Sequence, residues 1–185
     1  MENDFISTPA VPKFYFLNPN PKDIHISDIA HALSLTCRFG GHCSVFYSVA
    51  EHSIKVAEIV EGEGADKLTV MAALLHDAEE TYLPDIPRPI KAVMSEAQDM
   101  YEKLEIAVIN KFHLLKANWE HVDNIDRRLC ITEAKALGVW NEEWEDAGPY
   151  LNVQLHLWSS ADAEELFLRN FHELSEALYD YVLRS

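Results

Sequence analysis

Apolar residues recur at helical spacing along most of the chain. Leu68, Met71, Ala72 and Leu75 fall at i, i+3, i+4 and i+7, the stripe of an amphipathic helix. A second stripe runs through Val49, His52, Ser53, Val56, Ile59 and Val60, and a third through Val122, Ile125, Asp126, Leu129, Thr132 and Ala136. These patterns predict helices over 48–60, 65–80, 95–112, 118–137 and 161–183. An earlier one, through IAHALSLTCR, is capped by Ser27 or Asp28. EGEG closes the 48–60 helix, Gly40–Gly41 marks a loop and Gly138 a stop, while prolines at 84, 87 and 89 exclude LPDIPRPI from any helix interior. Residues 1–22 read as irregular and 138–160 as a loop region, with 150–160 ambiguous and open to an extended form. No strand-like alternation and no internal repeat occurs, so the expected fold class is all-α, one helical bundle forming a single domain over 1–185.

Polar residues on these stripes are the anomaly. His52 interrupts the second stripe and Asp126 the third, with Glu133 two turns further on. His76 and Asp77 sit side by side where the 65–80 stripe runs out, followed by Glu80 and Asp85. An unpaired buried polar group costs about 1–3 kcal/mol and a charge more, so each needs a partner. Taken singly, His52 reads as a hydrogen-bonded core histidine, and Asp126 as an ion-pair partner of Arg127, Arg128 or Lys135. Together, His52, His76, Asp77 and Asp126 supply two imidazoles and two carboxylates from three helices. That set binds a divalent transition metal, such as zinc, cobalt or manganese, with no net charge left over. Neighbouring residues on a helix point about 100° apart, so His76 and Asp77 share one ion only near a helix end. The proline-rich stop downstream fits that condition.

Composition narrows the function. The 185 residues carry a formal net charge of −16, which repels nucleic acid and acidic membranes and requires local positive charge for any anionic substrate. No apolar run approaches the roughly 18 residues of a membrane helix. The N-terminus, MENDFISTPAVPKF, offers no basic n-region and no apolar h-region, so a cytoplasmic protein is expected. Three cysteines outside CxxC pairs read as small buried hydrophobes of a reducing compartment, not a disulfide frame. Walker-type glycines, HExxH and GxSxG are missing.

The segments CRFGGH (37–42), YSVAEHSIKVA (47–57), LLHDAEETYLPDIPRPIK (74–91) and VDNIDRRLCITEAKAL (122–137) resemble the HD-domain metal-dependent phosphohydrolases. Among these, they are most similar to the bacterial 5'-deoxynucleotidases and to the phage dATP triphosphohydrolases of diaminopurine genomes. The resemblance implies an HD-domain helical bundle, usually oligomeric (dimer or hexamer), in the cytoplasm, or the host cytoplasm if phage-encoded. It implies His52, His76, Asp77 and Asp126 as metal ligands. Glu80 and Asp85 match the acidic pair that activates water or holds additional Mg or Mn with the phosphates. Arg38 and Lys91 match phosphate contacts, and Phe39 an aromatic against the nucleoside. Gly41, with Gly40, would let the backbone approach a purine closely. One departure is Asp123, where the family has a basic residue; it is a rival for the ligand role of Asp126.

The implied reaction is metal-dependent hydrolysis of a 2'-deoxynucleoside 5'-phosphate, foremost by a dATP/dNTP triphosphohydrolase releasing deoxynucleoside and triphosphate. The alternatives are a 5'-deoxynucleotidase acting on dNMPs and a non-catalytic nucleotide- and metal-binding module. The four tryptophans, 119, 140, 144 and 158, are expected to anchor the C-terminal half or a subunit contact.

Overall fold

The structure is a computed structural model describing residues 4–91, 93–142 and 148–184. Among these residues the α-helices are α1 (Ile26–Leu35), α2 (Val49–Gly62), α3 (Lys67–Leu74), α4 (Arg88–Lys91), α5 (Ser95–Phe112), α6 (Trp119–Ala136) and α7 (Ser160–Arg184). Short 3-10 turns cover Pro21–Asp23, Arg38–Gly41, Ala78–Thr81 and Leu114–Lys116. The only extended pairings among the described residues are isolated antiparallel bridges, Ile6 with Phe14 and Cys37 with Ser48. The fold is all-α.

Helices begin where side chains satisfy the first free backbone donors. Ser48 Oγ accepts from Glu51 N–H on α2, Asp66 from Thr69 N–H on α3, and Asn118 from His121 N–H on α6. α2 and α3 form the centre and pack chiefly on each other. α3 is buried from Thr69 to Leu74, which suits its apolar sequence on every side. α7 covers α1, α2 and α3, and α6 lies against α2 and α3. The core joins Phe14, Ile29, Leu33, Val56, Leu74, Leu104, Ile125, Leu129 and Phe167, each contributing about 1.5–3 kcal/mol of apolar burial. The N-terminal segment belongs to it: the Phe14 ring stacks on Tyr82 with centroids 3.8 Å apart. No helix among the described residues is long and apolar enough to cross a membrane.

The helices over 95–112 and 118–137 fall where the pattern predicts, but three local expectations are corrected. α1 starts at Ile26 after His25, without a side-chain cap. Neither Ser27 nor Asp28 serves, because Asp28 accepts from Ala10 N–H (3.1 Å) and ties the N-terminal segment down. The 65–80 helix stops at Leu74; Leu75 and Asp77 leave helical geometry (φ −107°, ψ 9° and φ −103°, ψ 18°) before the turn at Ala78–Thr81. In the proline segment 84–87 is irregular, yet Arg88–Lys91 makes one helical turn, with Pro87 O accepting from Ile90 and Lys91 N–H. A proline so early in a helix removes only a donor that has no partner there. Residues 151–159 are irregular. They are fastened to α2 by Glu51, a fully buried carboxylate that accepts from the backbone N–H groups of His156, Leu157 and Trp158 at 2.6, 3.1 and 2.8 Å. Leu157 adopts a left-handed φ of 56° to aim them.

Candidate metal centre

α2 contributes His52, the break after α3 contributes His76 and Asp77, and α6 contributes Asp126. His52 Nε2 lies 3.1 Å from Asp126 Oδ1 and 3.3 Å from His76 Nε2. One ligand atom from each of His52, His76 and Asp126 lies within 4.8 Å of the others, a spacing that could hold one metal ion. Asp77 is not part of that mutually close set. Its Oδ2 stands 3.3 Å from His76 Nε2 and 3.7 Å from His52 Nε2, and also 3.4 Å from Arg38 Nη1. The early end of α3 is what turns both His76 and Asp77 toward one point.

Both imidazoles are oriented from behind. His76 Nδ1 donates to Ala73 O at 2.8 Å, which leaves Nε2 its lone pair. His52 Nδ1 faces Glu133 Oε1 at 2.8 Å. His52 is inaccessible to solvent, whereas the Asp77 and Asp126 side chains keep 18% and 17% of their exposure, so the cage opens on its carboxylate side. Asp123 is exposed, and Asp126 occupies the cage. Of the ion-pair partners expected for Asp126, Arg127 donates to Asp123 O, Arg128 donates to Pro149 O, and the Lys135 ammonium lies 3.4 Å from the Tyr150 ring centroid.

Charges in the cage lean on one another. Burial works against a charged His76, but Asp77 and Asp126 outweigh it and push its pKa up to about 9. Burial and Arg38 lower His52, yet Glu133 and Asp126 raise it above its usual range. Asp126 is held far below the usual carboxylate range by the two histidines, against its burial.

The Arg38–Gly41 turn stands over this group. Arg38 N–H donates to Tyr47 O (2.9 Å), closing the loop at its base, and the guanidinium lies 5.4 Å from the Phe39 ring centroid. Phe39 is itself left-handed (φ 57°), as are Gly40 (φ 60°) and Gly41 (φ 77°). A Cβ at Gly41 would meet nothing, so backbone conformation alone accounts for that glycine; one at Gly40 would approach Pro87. The loop therefore rests on the proline segment, where burial and then Asp77 raise Asp85, with Arg38 and the Phe39 backbone acting the other way. Burial, then Asp77 and Asp85, raise Glu80 well above the usual range, and its Oε2 is buried with no hydrogen-bond partner, as is Glu79 Oε2. Burial and Asp77 lift Glu79 to about 8. Lys91 is placed differently: its ammonium lies 3.5 Å from the Tyr101 ring centroid, and its charge acts on Glu79 and Glu105.

The structure thus gathers Arg38, His52, His76, Asp77 and Asp126, with Phe39, Glu80 and Asp85 at the border. Two features escaped the sequence reading. Glu133 was visible as a charge on a buried stripe but had no assigned partner. Cys37 and Cys43 are half-buried, with sulfurs 3.4 Å apart on either side of the Arg38 turn, not isolated core fillers; none of the three cysteines forms a disulfide. Trp144 lies outside the described residues.

Fold and site together define an all-helical protein with an interhelical His/Asp cage suited to a metal ion. No family model matches the chain. It belongs to the family of the uncharacterized protein YfdR of Escherichia coli (strain K12), to which it is 38% identical over 135 residues, 73% of each chain. It is also 34% identical over 142 residues to the uncharacterized protein RCAP_rcc00048 of Rhodobacter capsulatus, covering 70% of this chain and 71% of that one.

Proposed function

We propose that the chain is a metal-dependent phosphohydrolase of 2'-deoxynucleoside 5'-phosphates, acting on dATP and related triphosphates and releasing deoxynucleoside and triphosphate. The observation that carries this reading is the convergence of His52, His76 and Asp126 from three segments of chain onto one point beside a buried arginine. The donor set fits a divalent ion such as zinc, cobalt or manganese: the backward hydrogen bonds of both histidines leave nitrogen lone pairs on the cage side, next to an ionised carboxylate. Such an ion supplies Lewis acidity and a more acidic water.

The chain's own residues have complementary tasks. Arg38, buried and charged, offers guanidinium donors to a phosphoryl oxygen, the local positive charge that a chain of net −16 must provide. The unpartnered Oε2 of Glu80 is available to take a proton from attacking water or to meet an additional Mg or Mn ion carried with the phosphates; Asp85 lies beside it. Phe39, held against Arg38, presents an aromatic face for a base. Lys91 adds positive charge on the Glu79 side. The resemblance to the HD-domain phosphohydrolases supports the same assignment and favours a cytoplasmic homo-oligomer.

Protein loaded in turn with zinc, cobalt and manganese should be incubated with a panel of dNTPs and dNMPs. Release of inorganic triphosphate from dATP, abolished by chelation, is the expected result. Free phosphate from dNMPs would assign the 5'-deoxynucleotidase reaction instead. Failure to hydrolyse any of them, with metal stoichiometrically bound, would leave the non-catalytic binding module.

A further inference from the structure

Glu133 has no place in the cage, yet Tyr47, His52 and Arg38 all converge on its carboxylate. It is wholly buried. Tyr47 Oη donates to its Oε1 at 2.7 Å, and His52 Nδ1 stands 2.8 Å from Oε1 and 3.1 Å from Oε2. Arg38 Nε is 3.1 Å from Oε2, an ion-pair contact whose angle is not that of a hydrogen bond. Its Oε1 already accepts from the Tyr47 hydroxyl and faces the His52 ring nitrogen, so this side chain is placed as an acceptor for Nδ1–H.

The register of α6 explains the position. Asp126 and Glu133 are seven residues apart, so they share a helix face about 10.5 Å apart along the axis. One imidazole lies between them: Asp126 faces Nε2 of His52 and Glu133 faces Nδ1. A single helix therefore grips the same ring at both nitrogens. Tyr47 lies one residue before the α2 cap, so the donor that steadies Glu133 enters on the helix that carries His52.

We propose that Glu133, steadied by Tyr47, is the positioning residue of the centre: it holds His52 as the Nδ1–H tautomer, keeping the Nε2 lone pair on the cage side. This rests on the metal-site reading only for its effect on affinity; the tautomer is a property of the chain itself.

Two measurements test it. In wild-type protein, long-range nitrogen–proton spectra of the histidines, recorded above the imidazolium range, should show His52 protonated on Nδ1. By zinc titration against a competing chelator, Glu133→Gln should bind zinc about 10–100-fold more weakly than wild type, the range for losing an outer partner of a ligating histidine. Tyr47→Phe keeps the carboxylate and should weaken zinc less, which preserves the test if Glu133→Gln fails to fold. A His52 proton found on Nε2 would overturn the proposal, as would a folded Glu133→Gln protein binding zinc within threefold of wild type. If wild-type protein takes up no zinc, the functional reading fails, and the tautomer spectrum alone decides this inference.

Discussion

His52 Nε2 and Asp126 Oδ1 meet at 3.1 Å across the α2–α6 contact, joining residues 74 positions apart in the chain. Asp126 is the cage carboxylate that both histidines hold ionised. Asp126→Asn keeps the shape and removes the charge. Expected are loss of bound zinc after gel filtration, read by elemental analysis, and a fall in dATP hydrolysis of about a thousandfold, the scale of losing metal-assisted charge stabilisation. Retention of both would place the metal elsewhere.

The metal-free protein should lose stability as pH rises. His76 is raised from 6.5 to about 9 on folding, so its contribution is fully present below pH 6.5 and vanishes as pH climbs through 9. Glu79, raised from 4.5 to about 8, acts in the same direction, because the folded state retains a proton that the unfolded chain has shed. Urea midpoints of chelated protein should therefore fall from pH 6 to pH 9.5. A divalent ion should reverse that slope, since binding requires deprotonated imidazoles. A flat profile without metal would show that these groups are not buried as described.

Arg38 is the cation between Glu133 and Asp77. Arg38→Ala strips a buried carboxylate of its ion-pair partner and should cost about 3 kcal/mol in chemical denaturation. Arg38→Lys restores charge without the planar fork and should recover only part of the stability. A loss below about 1 kcal/mol would mean that water replaces the guanidinium.

Gly41 separates conformation from ligand approach. Gly41→Ala meets no atom but must adopt φ 77°, costing about 1–2 kcal/mol of strain. If a nucleotide passes close to this backbone, KM should rise well beyond what destabilisation explains; unchanged KM in folded protein would remove Gly41 from the binding surface.

The helical scaffold was largely legible because α5 and α6 carry amphipathic stripes bounded by clear signals, Asn118 at one end of α6 and Gly138 beyond the other. His52 and Asp126 were legible as polar interruptions of apolar stripes, and His76 and Asp77 as a polar pair where a stripe runs out. What the pattern missed depends on distant partners. Asp28 looks like a cap until Ala10 claims it. The apolar pattern carries 65–80 through to Glu80, whereas the backbone leaves helical geometry after Leu74, a local change of dihedrals that periodicity does not register. Glu133 acquires meaning only when Tyr47 and Arg38 arrive from a loop far upstream.

Glu51→Ala should lower the unfolding temperature, since three inward-facing amides lose their acceptor, at a cost of about 3 kcal/mol or more, measurable by calorimetry. An unchanged transition would show that the 156–158 backbone finds other partners.

That same carboxylate belongs to the residue immediately before His52, on the turn that presents the imidazole. The 151–159 stretch, which contributes no residue to the candidate cage, is thus braced against the histidine's own pedestal. Trimming the protein to a fragment ending near residue 137 would spare every candidate ligand and still remove the brace beneath one of them, so substitutions in the 151–159 stretch offer a remote way to adjust the candidate cage.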